Sequence, residues 1–225
     1  MTPPVKPRLI LFDCDGTLVD SQHSIVTAMR RAFALNDLPE PEAQAIRGTI
    51  GLSLDYAMGA LLPAAGFSLR AGLVEDYRRA SSEQRSRGEP ESPLYDGAIE
   101  AIVGLHGAGY LLGIATGKSR RGLDTMLETF DLADYFITLQ TSDRAPSKPH
   151  PGMVDQAVAE AGVTPGETVV IGDTSFDMEM AINARARAIG VSWGYHETAE
   201  LHRSGALTVI DNFAALSGVI EGLAP

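Results

Sequence analysis

The chain has 225 residues, enough for one large domain or a domain carrying an insert, and 44% of them are apolar, ample for a core. Lys and Arg total 18 against 29 Asp and Glu, a net charge of -11, which excludes the basic face of a nucleic-acid or membrane-surface binder. The single cysteine, Cys14, excludes an intramolecular disulfide, and no apolar run reaches the length of a membrane span.

Residues 1–8 are proline-rich and lack the apolar core of a signal peptide, so the expected compartment is the cytoplasm. Leu9-Ile10-Leu11-Phe12 is an unbroken apolar run and reads as a strand buried on both faces. It runs into Asp13-Cys14-Asp15-Gly16-Thr17-Leu18-Val19-Asp20-Ser21. Strand geometry carried through 13–15 points Asp13 and Asp15 the same way and turns Cys14 toward the core. Both acids then stand at the carboxyl edge of a sheet, where open α/β folds place ligands. Gly16 lets the chain turn away sharply. Two carboxylates this close stay ionised only beside a cation. Asp and Gly are also ordinary turn formers, so other parts of the chain must supply the partners.

Ser21 is placed to cap a helix from Gln22, which apolar residues at 25, 26, 29, 32 and 33 carry to 35. From 42 to about 89 the pattern stays helical, interrupted by the loop Arg47-Gly48-Thr49-Ile50-Gly51 and by Pro63 and Gly66. Residues 73–86 read as a charged helix and 87–93 as a linker. Beyond Leu94, helix and strand alternate. A helix over 98–106 leads to a strand at 111–115 ending in Thr116-Gly117-Lys118. A helix over 120–130, with Ser119 as its cap, precedes a weaker strand at 135–139. A helix over 151–161 has Pro151 in its first turn. A strand at 168–171 ends in Gly172-Asp173, and a helix over 175–183 follows. Strands at 188–191 and 207–210 and a helix over 213–220 close the chain. This alternation predicts an α/β fold with a parallel sheet and helices on both faces. Residues 1–19 and 93–225 form that core, and 20–92 form an inserted all-helical domain.

In a parallel sheet Asp13, Asp15, Thr116, Lys148, Asp173 and Asp177 lie along one edge. Each alone has an ordinary explanation: Thr116 and Asp173 as helix caps, Asp177 as a first-turn acid, Lys148 as a solvated lysine. Pro149, however, holds Lys148 in extended backbone. Taken together at successive strand ends, these residues suit phosphoryl transfer. A carboxylate can form an aspartyl-phosphate, and its attack on a phosphate needs charge neutralisation and in-line geometry. Mg²⁺ suits a few carboxylates and a carbonyl. Lysine adds a point charge, while hydroxyl and backbone N–H groups hold phosphate oxygens. Four carboxylates and a phosphate ester of charge about −2 outweigh one lysine, so phosphate binding demands the metal.

The sequence resembles the phosphoglycolate phosphatase-like branch of the haloacid dehalogenase superfamily. Asp13 to Ser21 is similar to the first family motif, Thr116-Gly117-Lys118 to the second, Lys148-Pro149-His150-Pro151 to the third, and Gly172-Asp173 with Asp177 to the fourth. The resemblance implies a Rossmann-like three-layer core with a helical cap inserted after the first strand. It implies Asp13 as nucleophile. Asp15 would protonate the leaving oxygen, then activate water, and its carbonyl would ligate Mg²⁺. The carboxylates of Asp13 and Asp173 would ligate the same ion, with Asp177 supporting through water or Lys148. Thr116, Lys148 and the N–H groups of Cys14, Asp15 and Gly117 would hold the phosphate. In capped relatives a loop like the one at Arg47 and Gly48 faces the site and reads the leaving group, which makes both residues candidate substrate contacts; a surface turn is the alternative.

Asp15 favours a phosphatase, because the dehalogenase branch lacks the second acid. One departure lies at Asn183-Ala184-Arg185, where relatives often carry alanine-glycine. His150 reads as part of a turn, and Arg120 and Arg121 as a solvated helix face. Trp193-Gly194-Tyr195-His196 either walls the site or serves core packing or loop anchoring. The expected protein is an Mg²⁺-dependent hydrolase of a small phosphorylated metabolite, a monomer or homodimer, with no nucleic-acid or membrane partner. A phosphoglucomutase-like mutase, a pyrophosphatase or a non-catalytic phosphometabolite-binding regulator are the alternatives. Phosphonate cleavage is disfavoured, because it wants a lysine in the insert and 20–92 contains none.

Overall fold

The computed structural model describes residues 6–87 and 92–223. After β1 (Leu9–Phe12) come four helices, α1 (Gln22–Ala34), α2 (Ala43–Arg47), α3 (Leu54–Leu61) and α4 (Phe67–Ser86). The chain continues through α5 (Ala98–Gly107), β2 (Leu111–Thr116), α6 (Arg120–Thr129), β3 (Phe136–Thr141), α7 (Gly152–Ala161) and β4 (Thr168–Gly172). It ends with α8 (Ser175–Asn183), β5 (Arg187–Val191), α9 (Thr198–Arg203), β6 (Thr208–Ile210) and α10 (Leu216–Gly222).

The four residues of β1 are fully buried because the strand is central. It pairs in parallel with β2 on one side and β4 on the other, and the whole sheet runs β3-β2-β1-β4-β5-β6. Ile10 and Phe12 feed one apolar cluster, with Ile102 of α5, Leu123 of α6 and Leu216 of α10. Leu9 and Leu11 feed the other, with Met153 of α7, Met178 of α8 and Leu201 of α9. Side chains alternate along a strand, so a strand between two helical layers must be apolar throughout. The result is a three-layer, Rossmann-like α/β fold.

Helices α1–α4 enclose an apolar cluster of their own, built on Met29, Phe33, Ile46, Met58 and Leu73. The chain leaves the sheet for this unit and returns from it along adjacent paths. Asp20 N donates to Pro93 O at 2.8 Å and Tyr95 N to Leu18 O at 2.9 Å. The expected linker falls partly outside the described residues, at 88–91; the charged helix starts earlier, at Phe67.

Smaller differences have local causes. Ser21 precedes α1 without a side-chain cap, because its hydroxyl is taken by Asp15. His150 Nδ1 accepts from Gly152 N at 3.0 Å, so the histidine serves the start of α7. The expected last helix begins as a 3-10 turn, Phe213–Ala215, in which Asn212 Oδ1 accepts from Ala215 N. The short α9 was not anticipated, since it buries only Leu201 and offers no period to read.

After α8 the chain turns through Arg185 in the left-handed region, at φ 62°. A Cβ is disfavoured there by about 1 kcal/mol. Arg185→Gly is therefore expected to raise the melting temperature by roughly 2–4 °C, measured by thermal unfolding; an unchanged or lower value would contradict the strain.

Candidate active site

The ladder of β1 extends one residue past the strand, Asp13 N donating to Ile171 O at 2.8 Å. The chain then winds round the Cys14 carbonyl, which accepts from the N–H groups of Leu18 and Val19 at 2.9 and 3.0 Å. Gly16 stands at φ 86°, and a Cβ there would lie 2.2 Å from Asp173 Oδ2. No other residue fits this turn. Cys14 faces the core, where burial pushes its thiol well above the ordinary range.

Phe12 is level with Ile114 of β2 and Ile171 of β4, so the residues that follow each strand arrive together. Asp13, Thr116, Lys148, Asp173 and Asp177 are all buried. Lys148 Nζ lies 2.7 Å from Asp13 Oδ1 and 2.6 Å from Asp177 Oδ1. The other oxygen of Asp177 accepts from Thr174 N at 3.1 Å and Thr174 Oγ1 at 2.7 Å, closing a capping box on α8. Asp173 accepts from Thr17 Oγ1 at 2.9 Å and from Tyr195 N at 3.0 Å. Thr116 Oγ1 accepts from Lys118 N at 3.2 Å. Asp15 accepts from Ser21 Oγ and pairs with Lys118 Nζ at 2.6 Å.

Burial raises the Asp13 carboxyl to about 7; Lys148 opposes the shift, and Asp177 and Asp15 add to it. Burial, followed by the charges of Asp13 and Asp177, lifts Asp173 well above the carboxylate range. Burial alone would depress Lys148, but Asp13 and Asp177 more than offset it and its pKa is raised. Four carboxylates thus share two ammonium groups, and the cluster keeps a deficit of positive charge.

Asp13 Oδ2 is buried with no hydrogen-bond partner among the described residues. Such an orphan is rare in a folded interior. Ligand oxygens of Asp13, Asp173 and Asp177 lie within 4.8 Å of one another. An all-carboxylate donor set with an unused oxygen fits a hard divalent cation. Asp177 bonds Lys148 and Thr174 through its two oxygens and Asp173 bonds Thr17 and Tyr195 through its own, so the unpartnered Asp13 Oδ2 is the free ligand oxygen of the three.

A cavity of about 540 Å³ opens from Asp15, Gly117 and Lys118 toward the helical unit. Arg47 and Gly48 lie outside it. Helix α2 continues through Arg47 and turns its guanidinium toward Gln44 Oε1, at 3.0 Å from Nη2, while Gly48 is exposed. Arg47 faces a separate cavity beside Asp20. The residues that reach the sheet edge come later: a Cβ on Gly117 would meet Leu52 O at 2.6 Å, and Ser53 N donates to Ser147 Oγ at 2.9 Å.

The 193–196 segment does wall the acids. Trp193 Nε1 donates to Thr17 O at 3.1 Å, and a Cβ on Gly194 would lie 2.1 Å from Asp173 Cβ. Ser21 N donates to Tyr195 Oη at 3.2 Å. Arg120 is held by Asp124 at 2.7 Å, whereas Arg121 lines the cavity.

Sequence reasoning assigned no role to Lys118, the ion partner of Asp15. One signal was available. The chain has three lysines, Lys6, Lys118 and Lys148, among its 18 basic residues. Lysine in an arginine-using chain marks a place that needs a compact charge. The contacts of Thr17 and Ser21 carried no such signal, because each depends on a fold-level juxtaposition, while Tyr195 lay in the 193–196 segment already read as a candidate wall.

A family model described as haloacid dehalogenase-like hydrolase matches residues 10–191. A protein of Dickeya dadantii (strain 3937) named "Probable phosphatase IndB" is 36% identical over 224 residues, covering 97% of this chain and 95% of that protein. A phosphoglycolate phosphatase of Vibrio vulnificus (strain YJ016) is 27% identical, covering 95% and 96%. A hydrolase structure from Pseudomonas syringae superposes with a TM-score of 0.86 at 26% identity, covering 98% of this chain and 100% of that one. Acids at the end of β1, a buried lysine and an acid pair after β4 are thus set on a fold that these proteins share, and the chain belongs to the haloacid dehalogenase-like hydrolase family, in its phosphatase branch.

Proposed function

We propose that the protein hydrolyses phosphate monoesters of small metabolites through an aspartyl-phosphate on Asp13, with Mg²⁺ as its cation. The observation that carries this reading is the state of Asp13. It is buried at a strand end, tied by one oxygen to Lys148, with its second oxygen unpartnered.

Asp13 attacks phosphorus, and the ester P–O bond breaks. Asp15 delivers a proton to the departing oxygen, held in place by Ser21 and Lys118. Asp15 then takes a proton from water, whose oxygen attacks the aspartyl-phosphate and releases inorganic phosphate and free Asp13. Lys148 and the N–H groups that follow β1 and β2 hold the phosphate oxygens. Asp13, Asp173 and the Asp15 carbonyl would hold Mg²⁺, whose charge offsets that of the phosphate and fixes its orientation. Closure of the helical unit over the cavity would exclude bulk water. The matched phosphatases support the reaction type.

Asp13→Asn is expected to lower turnover of p-nitrophenyl phosphate by at least ~10³-fold; near-normal turnover would contradict the nucleophile. Lys118→Met should lower kcat by roughly 10- to 100-fold, because Asp15 loses the charge that holds it. A steady-state comparison showing only a change in KM would remove Lys118 from the proton-transfer step.

The site also sets a pH dependence. Asp13 goes from an ordinary 3.8 to about 7 on folding, and Asp173 shifts the same way. The folded state therefore binds these protons more tightly. Their contribution to stability is present below pH 3.8 and is lost as pH rises through about 7. Metal-free protein should melt lower at about pH 7.5 than at about pH 5, and added Mg²⁺ should raise the melting temperature more at the higher pH. An equal shift at both values, or none, would count against the metal site.

A further inference from the structure

On the other side of Lys118 lies a second cavity, here called the inner one, of about 160 Å³. Its lining contains no carboxylate, and its cations are Arg85 and Lys118. Tyr77, Ser81, Gln84 and Arg85 share one face of α4, at spacings of four, seven and eight residues, and form one wall. Ile25, Met126 and Phe130 supply apolar surface opposite. Lys118, Tyr77 and Arg85 also border the outer cavity that holds Asp15, so the two spaces adjoin along these side chains.

Gln84 is buried, lines only the inner cavity, and its amide has no hydrogen-bond partner among the described residues. The Tyr77 hydroxyl is likewise unpartnered, and burial pushes its phenol up to about 12, so it stays a neutral donor. An unpaired amide or hydroxyl facing a cavity costs stability unless a ligand or water completes it. Gln84 stands seven residues beyond Tyr77, about 10 Å along the helix. A two-carbon leaving group attached to a phosphate beside Asp13 would stop near Lys118. It would leave Gln84, which lines only the inner cavity, unpaired.

We propose that this inner cavity is the leaving-group subsite and that the substrate is a sugar phosphate, the monoester of a neutral, polyhydroxylated ring. Gln84 and Tyr77 bond the ring hydroxyls, while Met126 and Phe130 cover its apolar face. The assignment rests on the phosphatase reading above. The ester P–O bond breaks, the sugar oxygen takes its proton from Asp15, and the oxygen of water ends on phosphate.

The test measures kcat/KM of the full chain with Mg²⁺ on p-nitrophenyl phosphate, 2-phosphoglycolate, hexose and pentose monophosphates, and nucleoside monophosphates. At least one sugar phosphate should exceed 2-phosphoglycolate by ~10-fold or more. Gln84→Leu should lower that ratio by about 10-fold, mainly through KM. Tyr77→Phe, which removes only a hydroxyl and guards against a folding defect, should lower it about fivefold. A preference for phosphoglycolate or for nucleotides, or a ratio unmoved in both variants, would overturn the subsite. Failure of the unaltered protein to turn over any ester, p-nitrophenyl phosphate included, would instead overturn the phosphatase reading on which it rests.

Discussion

The ion triplet Asp13–Lys148–Asp177 governs this molecule. Lys148 has no exposed surface and is bonded to two carboxylates, themselves buried. Three charges in so dry a place persist only because each completes the others; removing one would leave the remainder unpaired in the interior, a strongly destabilising change. The triplet joins three distant stretches: the end of β1, the segment before α7, and the first turn of α8. Correct strand order and register are therefore conditions for neutralising it.

From that constraint the rest of the site follows. Asp177 can both bond Thr174 at the cap of α8 and hold Lys148 only because α8 begins where it does. Asp173 has to lie against the Gly16 turn, which only glycine permits. Asp15 sits two residues past Asp13 and has a separate ammonium, Lys118, as its partner. The cluster thus divides into a dry half, which holds Asp13, and a half open to the cavity, which holds Asp15.

How legible this was depended on the range of the interactions. β1 was readable because burial on both faces leaves no polar position in Leu9–Phe12. The acids and Lys148 were readable because parallel strands bring their ends to one edge. Arg47 and Gly48 lie outside the cavity at Asp15: helix α2 runs through Arg47, and Gly51, Leu52 and Ser53 of the same loop reach the sheet edge. Ser21 looked like a helix cap because serine before a helix usually is one. Its pairing with Asp15 depends on the chain folding back between Asp13 and α1, which local pattern does not encode.

The scarcity of lysine has a chemical corollary. Every cation outside the site except Lys6 is an arginine, and guanidinium groups do not react as amines. Lys148 is sealed from solvent, while Lys118 keeps 23% of its side chain exposed at the mouth of the cavity. Acylating reagents and acetyl donors therefore meet one accessible ε-amine in the described fold beyond Lys6, and it is the one paired with Asp15. Amine acylation of the described fold is thus confined to exposed Lys6 and, more slowly because the Asp15 pair holds its ammonium protonated, to Lys118 at the cavity mouth.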